Sequence, residues 1–221
     1  MITVHHLENS RSQRVLWLLE ELGTAYEVKR YERDPVTSLA PKELYAIHPL
    51  GKSPVVAEGE AVIAETGAIF EYLLETQDSE HKLHAARGGA AARDMTYWLH
   101  YAEGSAMTPL LMKLVFQMLP TRAPALMRPL VRRVSKGAED GFVNPRLKEH
   151  IDYWEASLAK TGWFIGDDFS AADIMMSFPL EAAGSRAPLD NAPNITGFLK
   201  RIHARPAYAR ALETGGPYAY A

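Results

Sequence analysis

Two patterns of apolar spacing follow one another along the chain, and one gives way to the other near residue 80. Ile2 to Leu7 is a short strand-like run. From Ser12, Val15, Leu16, Leu18, Leu19 and Leu22 recur at helical spacing until Gly23 stops them. Ala25 to Tyr31 reads as a second strand and Pro41 to Ala46 as a short helical piece. Val55-Val56 and Val62-Ile63 flank Glu58-Gly59-Glu60, a turn sequence, so this stretch predicts a β-hairpin. A helical pattern follows from Gly67 to Glu75. The order βαβ then αββα suits a small sheet flanked by helices.

Past a polar stretch with a Gly88-Gly89 pair, strand signals stop. Ala90 to Met118 is apolar at helical spacing, with a bend expected near Pro109. Further helices are expected over Ala123 to Gly137, Asn144 to Lys160, Ala171 to Ala183 and Ile195 to Ala204, with a last turn over Ala207 to Thr214. No internal repeat or low-complexity tract is present. The fold class is therefore α/β plus all-α: an α/β domain over 1–78, a linker over 79–89 and an all-helical domain over 90–221.

Composition narrows the chemistry more than the fold. Of the 221 residues 47% are hydrophobic and 23% charged, as in ordinary globular proteins, and no apolar run approaches a membrane span. Met1 to Leu7 has no basic region and reads as a strand, not a signal peptide, so the cytoplasm is the expected compartment and no membrane partner is expected. There is no cysteine, which excludes disulfides, CxxC redox chemistry and thiolate metal sites; any thiol chemistry must use a ligand's thiol. A net charge of −3 argues against a nucleic-acid partner.

The richest candidate site is the hairpin and its flanks. Pro54 enters the first hairpin strand with no N–H to donate, and the Ser53-Pro54 bond is a candidate cis peptide. Lys52 stands just before it, while Glu65 and Thr66 open the following helix, whose exposed N–H groups favour anions. Such a set can grip a small zwitterionic peptide; Lys52 as a surface charge and Thr66 as a mere N-cap is the competing reading. Other features read as structural. Alternation points one of His5 and His6 inward for packing, and His81 and His84 sit in the polar linker without a carboxylate cage. Trp98 and Tyr101 fit a core or domain-interface face, and Ser170 with Asp173 reads as a capping box.

Three motifs in order resemble the glutathione transferases over nearly the whole chain. They are Ser10 to Leu22 after the first strand, His48-Pro49-Leu50-Gly51-Lys52-Ser53-Pro54 with Glu65-Thr66 downstream, and Gly166 to Ile174. The resemblance implies a thioredoxin-like N-terminal domain that binds glutathione as co-substrate, with no cofactor or metal, and a helical domain that receives an apolar electrophile. It implies that Pro54 is cis, that the Ser53 backbone meets the cysteinyl part, that Glu65 and Thr66 hold the γ-glutamyl end and that Lys52 meets the glycine carboxylate. Thr66 is more often serine in such proteins and Ser53 more often branched and apolar; both keep the group required. The resemblance further implies a cytoplasmic homodimer that acts in detoxification. Met107, Leu111 and Met112 fall in the electrophile region, and Glu103 in one from which some relatives reach across to a partner's γ-glutamyl group; a solvated helix carboxylate is the alternative for Glu103. Peroxidase, dehalogenase or isomerase chemistry, or a non-catalytic binding module on the same fold, stay open beside conjugation.

Conjugation needs the thiolate of glutathione, whose thiol titrates near about 8.5 when free. Lowering it by about two units requires roughly 2.7 kcal/mol. A charge-assisted hydroxyl bond supplies roughly 1.5–3 kcal/mol and a helix start about 0.3–1 kcal/mol. One serine with one helix start is therefore about enough, without a general base. Ser10 and Ser12 compete for the role: Ser10, four residues before Arg14 as in serine-type members, is assigned as thiolate donor and Ser12 as helix cap. The first tyrosine is Tyr26, too late for the tyrosine-type mechanism.

Overall fold

The computed structural model describes residues 1–84 and 88–220. Residues 85–87 of the expected linker lie outside the described residues. Four strands, β1 (Ile2–Leu7), β2 (Tyr26–Tyr31), β3 (Val55–Glu58) and β4 (Ala61–Ala64), form one sheet in the order β2-β1-β3-β4. β1 and β2 run parallel across α1 (Gln13–Leu22), whereas β3 pairs antiparallel with both β1 and β4. Gly23, at φ 67°, takes the left-handed conformation that ends α1, its N–H returning to the Leu19 carbonyl. A short 3₁₀ turn, Lys42–Ala46, precedes the hairpin, and α2 (Thr66–Gln77) follows it. Because β1 is an interior strand, both His5 and His6 are buried, and the expectation that only one points inward is corrected.

The remaining helices are α3 (Ala90–Tyr101), α4 (Met107–Arg122), α5 (Arg128–Ala138), α6 (Asn144–Thr161), α7 (Ala171–Gly184), α8 (Pro193–His203) and α9 (Pro206–Gly215). The irregularity expected near Pro109 lies earlier, as a wide π turn over Ala102–Ala106 in which the Met107 N–H reaches the Ala102 carbonyl. Pro109 cannot donate to the carbonyl four residues back, and the wide turn absorbs that mismatch before α4 begins. Trp98 and Tyr101 join an aromatic cluster with Tyr153, Phe164 and His150.

Helix α7 is buried along nearly its whole length and forms the centre of the helical part. Its start is fixed by Asp173, whose carboxylate accepts from the Ser170 N–H at 2.8 Å and the Phe164 N–H at 2.9 Å. Pro179, inside α7, has no N–H for the Met175 carbonyl four residues back. Arg14 of α1 supplies the missing donor: its Nη1 reaches that carbonyl at 2.6 Å. A helix defect in one half of the chain is thus closed by a buried side chain from the other. The linker is anchored too, since Asp78 accepts from the backbone N–H groups of Lys82, Leu83 and His84, each at 2.9 Å. Among the described residues no group of histidines and carboxylates is arranged to hold a metal ion, His81 and His84 included. No helix among them is long and apolar enough to cross a membrane.

Candidate active site

A cleft of about 380 Å³ opens where the ends of β1 and β3 and the start of α2 face α4 and α7. Its polar wall comes from three backbone features. The ladder between β1 and β3 ends at His5 and Val55. Beyond it the Ser53-Pro54 bond is cis, and the Ser53 hydroxyl replaces the ladder by donating to the His5 carbonyl at 2.8 Å and accepting the Leu7 N–H at 3.0 Å. Gly51 makes the preceding turn at φ 55°, and a side chain there would meet the Tyr45 ring at 2.7 Å. Glu65 holds φ at 72° although it is not glycine, a conformation that costs about 1–3 kcal/mol and collects at ligand clamps. Thr66 beside it is buried, and Lys52 is exposed on the opposite rim.

Ser10 lies at the floor. Its hydroxyl donates to the Leu7 carbonyl at 2.7 Å and accepts the Ser12 N–H at 3.2 Å. The helix-capping role assigned to Ser12 is therefore corrected. Ser12 already has helical dihedrals, φ −60° and ψ −23°, its hydroxyl is buried without a partner, and it lies off the cleft. Ser10 caps the first turn instead.

Arg11 lines the cleft beside Ser10, and its Nη1 pairs with Glu103 at 2.7 Å. Arg14, almost wholly buried, binds the other oxygen of the same carboxylate. Burial alone would raise the Glu103 pKa, but Arg14 and Arg11 outweigh it and hold the group below its ordinary value. Glu103 is thus neither a solvated helix carboxylate nor a cleft-lining group; it fixes Arg11 at the cleft and Arg14 in the core.

The apolar wall is a stripe of α4, Met107, Leu111 and Leu114, with Phe178 of α7. Met112, expected on this wall, lies outside it: one residue past Leu111 is a turn of about 100° around the helix, and Leu114 takes the place at i+7 from Met107. The C-terminal segment adds to the lining of the cleft. Ala219 N–H donates to Asn9 Oδ1 at 2.7 Å and Tyr218 donates to Glu181, which brings Tyr220 into the lining against Phe178 and Arg186. The structure thus gathers Ser10, Lys52, Ser53, Pro54, Glu65, Thr66, Met107 and Leu111 around one cleft and leaves Glu103 and Met112 off it. Leu114 was within reach of helical periodicity. Arg186 and Tyr220 had no local signal, because only the path of the C-terminal segment brings them there.

Residues 1–75 match the glutathione S-transferase N-terminal domain and residues 126–214 the glutathione S-transferase C-terminal domain. Glutathione S-transferase 1 of Saccharomyces cerevisiae is 35% identical, over 96% of this chain and 94% of its own. Glutathione S-transferase 3 of Schizosaccharomyces pombe is 34% identical, over 96% of this chain and 87% of its own. Among solved structures, a glutathione S-transferase from Actinobacillus pleuropneumoniae superposes with a TM-score of 0.81 at 33% identity, covering 100% of this chain and 95% of that one. Both halves of the chain are accounted for by one family, in the family's order, and the chain belongs to the glutathione S-transferases.

Proposed function

We propose that the cleft binds glutathione, that Ser10 holds its sulfur as thiolate, and that the thiolate attacks an apolar electrophile resting on α4 and α7. One observation carries this reading: a polar wall and an apolar wall meet at a buried serine hydroxyl just before the first turn of a helix. Glutathione has two carboxylates and one ammonium. The cleft offers Lys52, Arg11, Arg33 and Arg186 with the single carboxylate of Glu65, a balance that suits such a peptide. In the proposed pose Glu65 and Thr66 meet the γ-glutamyl end, the Ser53 backbone beside cis-Pro54 meets the cysteinyl part, and Lys52 meets the glycine carboxylate. Glu103 acts on its own cleft through Arg11, and its reach toward a partner's γ-glutamyl group is part of the proposed dimer. Met107, Leu111, Leu114 and Phe178 receive the electrophile, where a flexible methionine adapts to varied shapes. No cofactor is required, since the reacting thiol belongs to the co-substrate.

The proposal includes a glutathione-binding part over 1–78, a linker over 79–89, a helical part over 90–221, and a cytoplasmic homodimer that detoxifies electrophiles. A chain without cysteine needs no oxidising compartment. Retention on immobilised glutathione, followed by turnover of an activated aryl halide, tests the activity. Retention without turnover of aryl halides, enals or hydroperoxides would leave a binding module and sink the enzymatic reading. Light scattering near one 24.6 kDa mass at micromolar concentration would remove the dimer.

A further inference from the structure

We propose that a second cavity, on the far side of α4 from the cleft, binds a small organic carboxylate with an apolar body. The cavity measures about 550 Å³ and lies between α4, the first turns of α6 and the loop from α7 to α8. That size suits a small-molecule ligand. It shares no lining residue with the cleft: Met107, Leu111 and Leu114 of α4 face one way and Lys113 the other.

Lys113 is the reason to expect an anion. It is 9% exposed, and its Nζ donates to Asn144 Oδ1 at 2.8 Å. Among the described residues no carboxylate lies within ion-pair distance of it. The nearest acidic group in this network is Asp140, which accepts from the Asn144 amide at 3.1 Å and feels the Lys113 charge but is already paired with Lys136 at 2.8 Å. An ammonium has three donors and is costly to bury unmatched. The other charged lining residues, Lys148, Asp152 and Asp190, are exposed, and Lys148 and Asp152 pair with each other at 2.6 Å. Among the described residues neither carboxylate lining the cavity, Asp152 or Asp190, forms an ion pair with Lys113.

Apart from Asn144 and Asn191, the remaining walls are apolar: Leu147, Ile151, Ala187, Pro188 and Ala192. A carboxylate can take the two donors Lys113 has free while a short aliphatic or aryl body covers these side chains. An inorganic anion would leave that surface wet, and a neutral amphiphile would leave the ammonium unmatched.

Octanoate is the probe, titrated calorimetrically into the whole protein saturated with S-hexylglutathione so that the main cleft is filled. Octanamide and sulfate serve as the neutral and the purely ionic controls. Octanoate should bind at least about tenfold more tightly than either control, and Lys113→Met should remove at least about that factor, as expected when a charge-assisted bond is lost. Ala187→Phe, which fills the cavity from a half-exposed wall, should abolish octanoate binding while S-hexylglutathione binding stays unchanged. It decides the matter if Lys113→Met does not fold. Octanoate that fails to bind the saturated protein, binds no better than octanamide or sulfate, or binds Ala187→Phe as it binds the wild type would overturn the proposal.

Discussion

Replacing Ser10 by alanine isolates the step on which the proposed chemistry turns. In the resting site the Ser10 hydroxyl donates to the Leu7 carbonyl at 2.7 Å, so it must rotate away before it can serve a sulfur anion. The gain of a charge-assisted bond, roughly 1.5–3 kcal/mol, is offset by a neutral bond of roughly 0.5–1.5 kcal/mol. The net preference for thiolate is about 1–1.5 kcal/mol, or about one pKa unit at 1.36 kcal/mol per unit. In the variant, the Ser12 N–H loses its acceptor at 3.2 Å and is left to donate to the sulfur, which keeps the shift from growing larger. The thiolate absorbance of bound glutathione, followed against pH, should therefore titrate about one unit higher in Ser10→Ala. Turnover near neutral pH should fall about tenfold and recover as pH rises, with little change in glutathione affinity. Ser12→Ala is the matched control. Its hydroxyl is buried without a partner, so removing it should leave the thiol pKa unchanged and stability equal or slightly higher. A thiol pKa that rises in Ser12→Ala and stays put in Ser10→Ala would refute the reasoning.

Three further outcomes follow from the same geometry. Arg14→Met leaves the Met175 carbonyl without a donor and should cost about 3–5 kcal/mol in urea unfolding; adding Pro179→Ala, which returns an N–H to that carbonyl, should recover about 1–2 kcal/mol, and strict additivity in the double-mutant cycle would disprove the repair. Burial, with Arg30 nearby, pushes His6 down to about 4 from 6.5, so the unfolded chain takes up the proton first, and stability present above pH 6.5 is lost as pH falls toward 4. At pH 5 this loss should reach about 2 kcal/mol, and His6→Leu should remove it; equal acid losses in both proteins would show that other groups are responsible. Finally, Leu111→Ala with Leu114→Ala should raise KM for an aryl halide much more than KM for glutathione, whereas Met112→Ala should change neither; a Met112→Ala effect equal to that of the Leu pair would place the apolar wall elsewhere.

Much of the fold is local information. β1 begins and ends where the apolar run does, Gly23 stops α1 because it alone takes the left-handed conformation freely, and Ser170 with Asp173 starts α7 as a capping pair. The polar wall was legible for the same reason: Lys52, Ser53, Pro54, Glu65 and Thr66 lie close along the chain, within one hairpin and its flanks. What tertiary structure alone decided depends on groups far apart in sequence. One exception is local: spacing assigned Ser10 to the cleft, but that Ser10 and not Ser12 also caps α1 shows only in its bonds to Leu7 and Ser12. Both histidines of β1 are buried because neighbours cover both sides of an interior strand, and alternation cannot report that. Arg14 meets Met175 across 161 positions, and Tyr220 reaches the cleft through anchors at Asn9 and Glu181. Periodicity tells a residue which face of its own element it occupies; which element then packs against that face is settled only when the whole chain has folded.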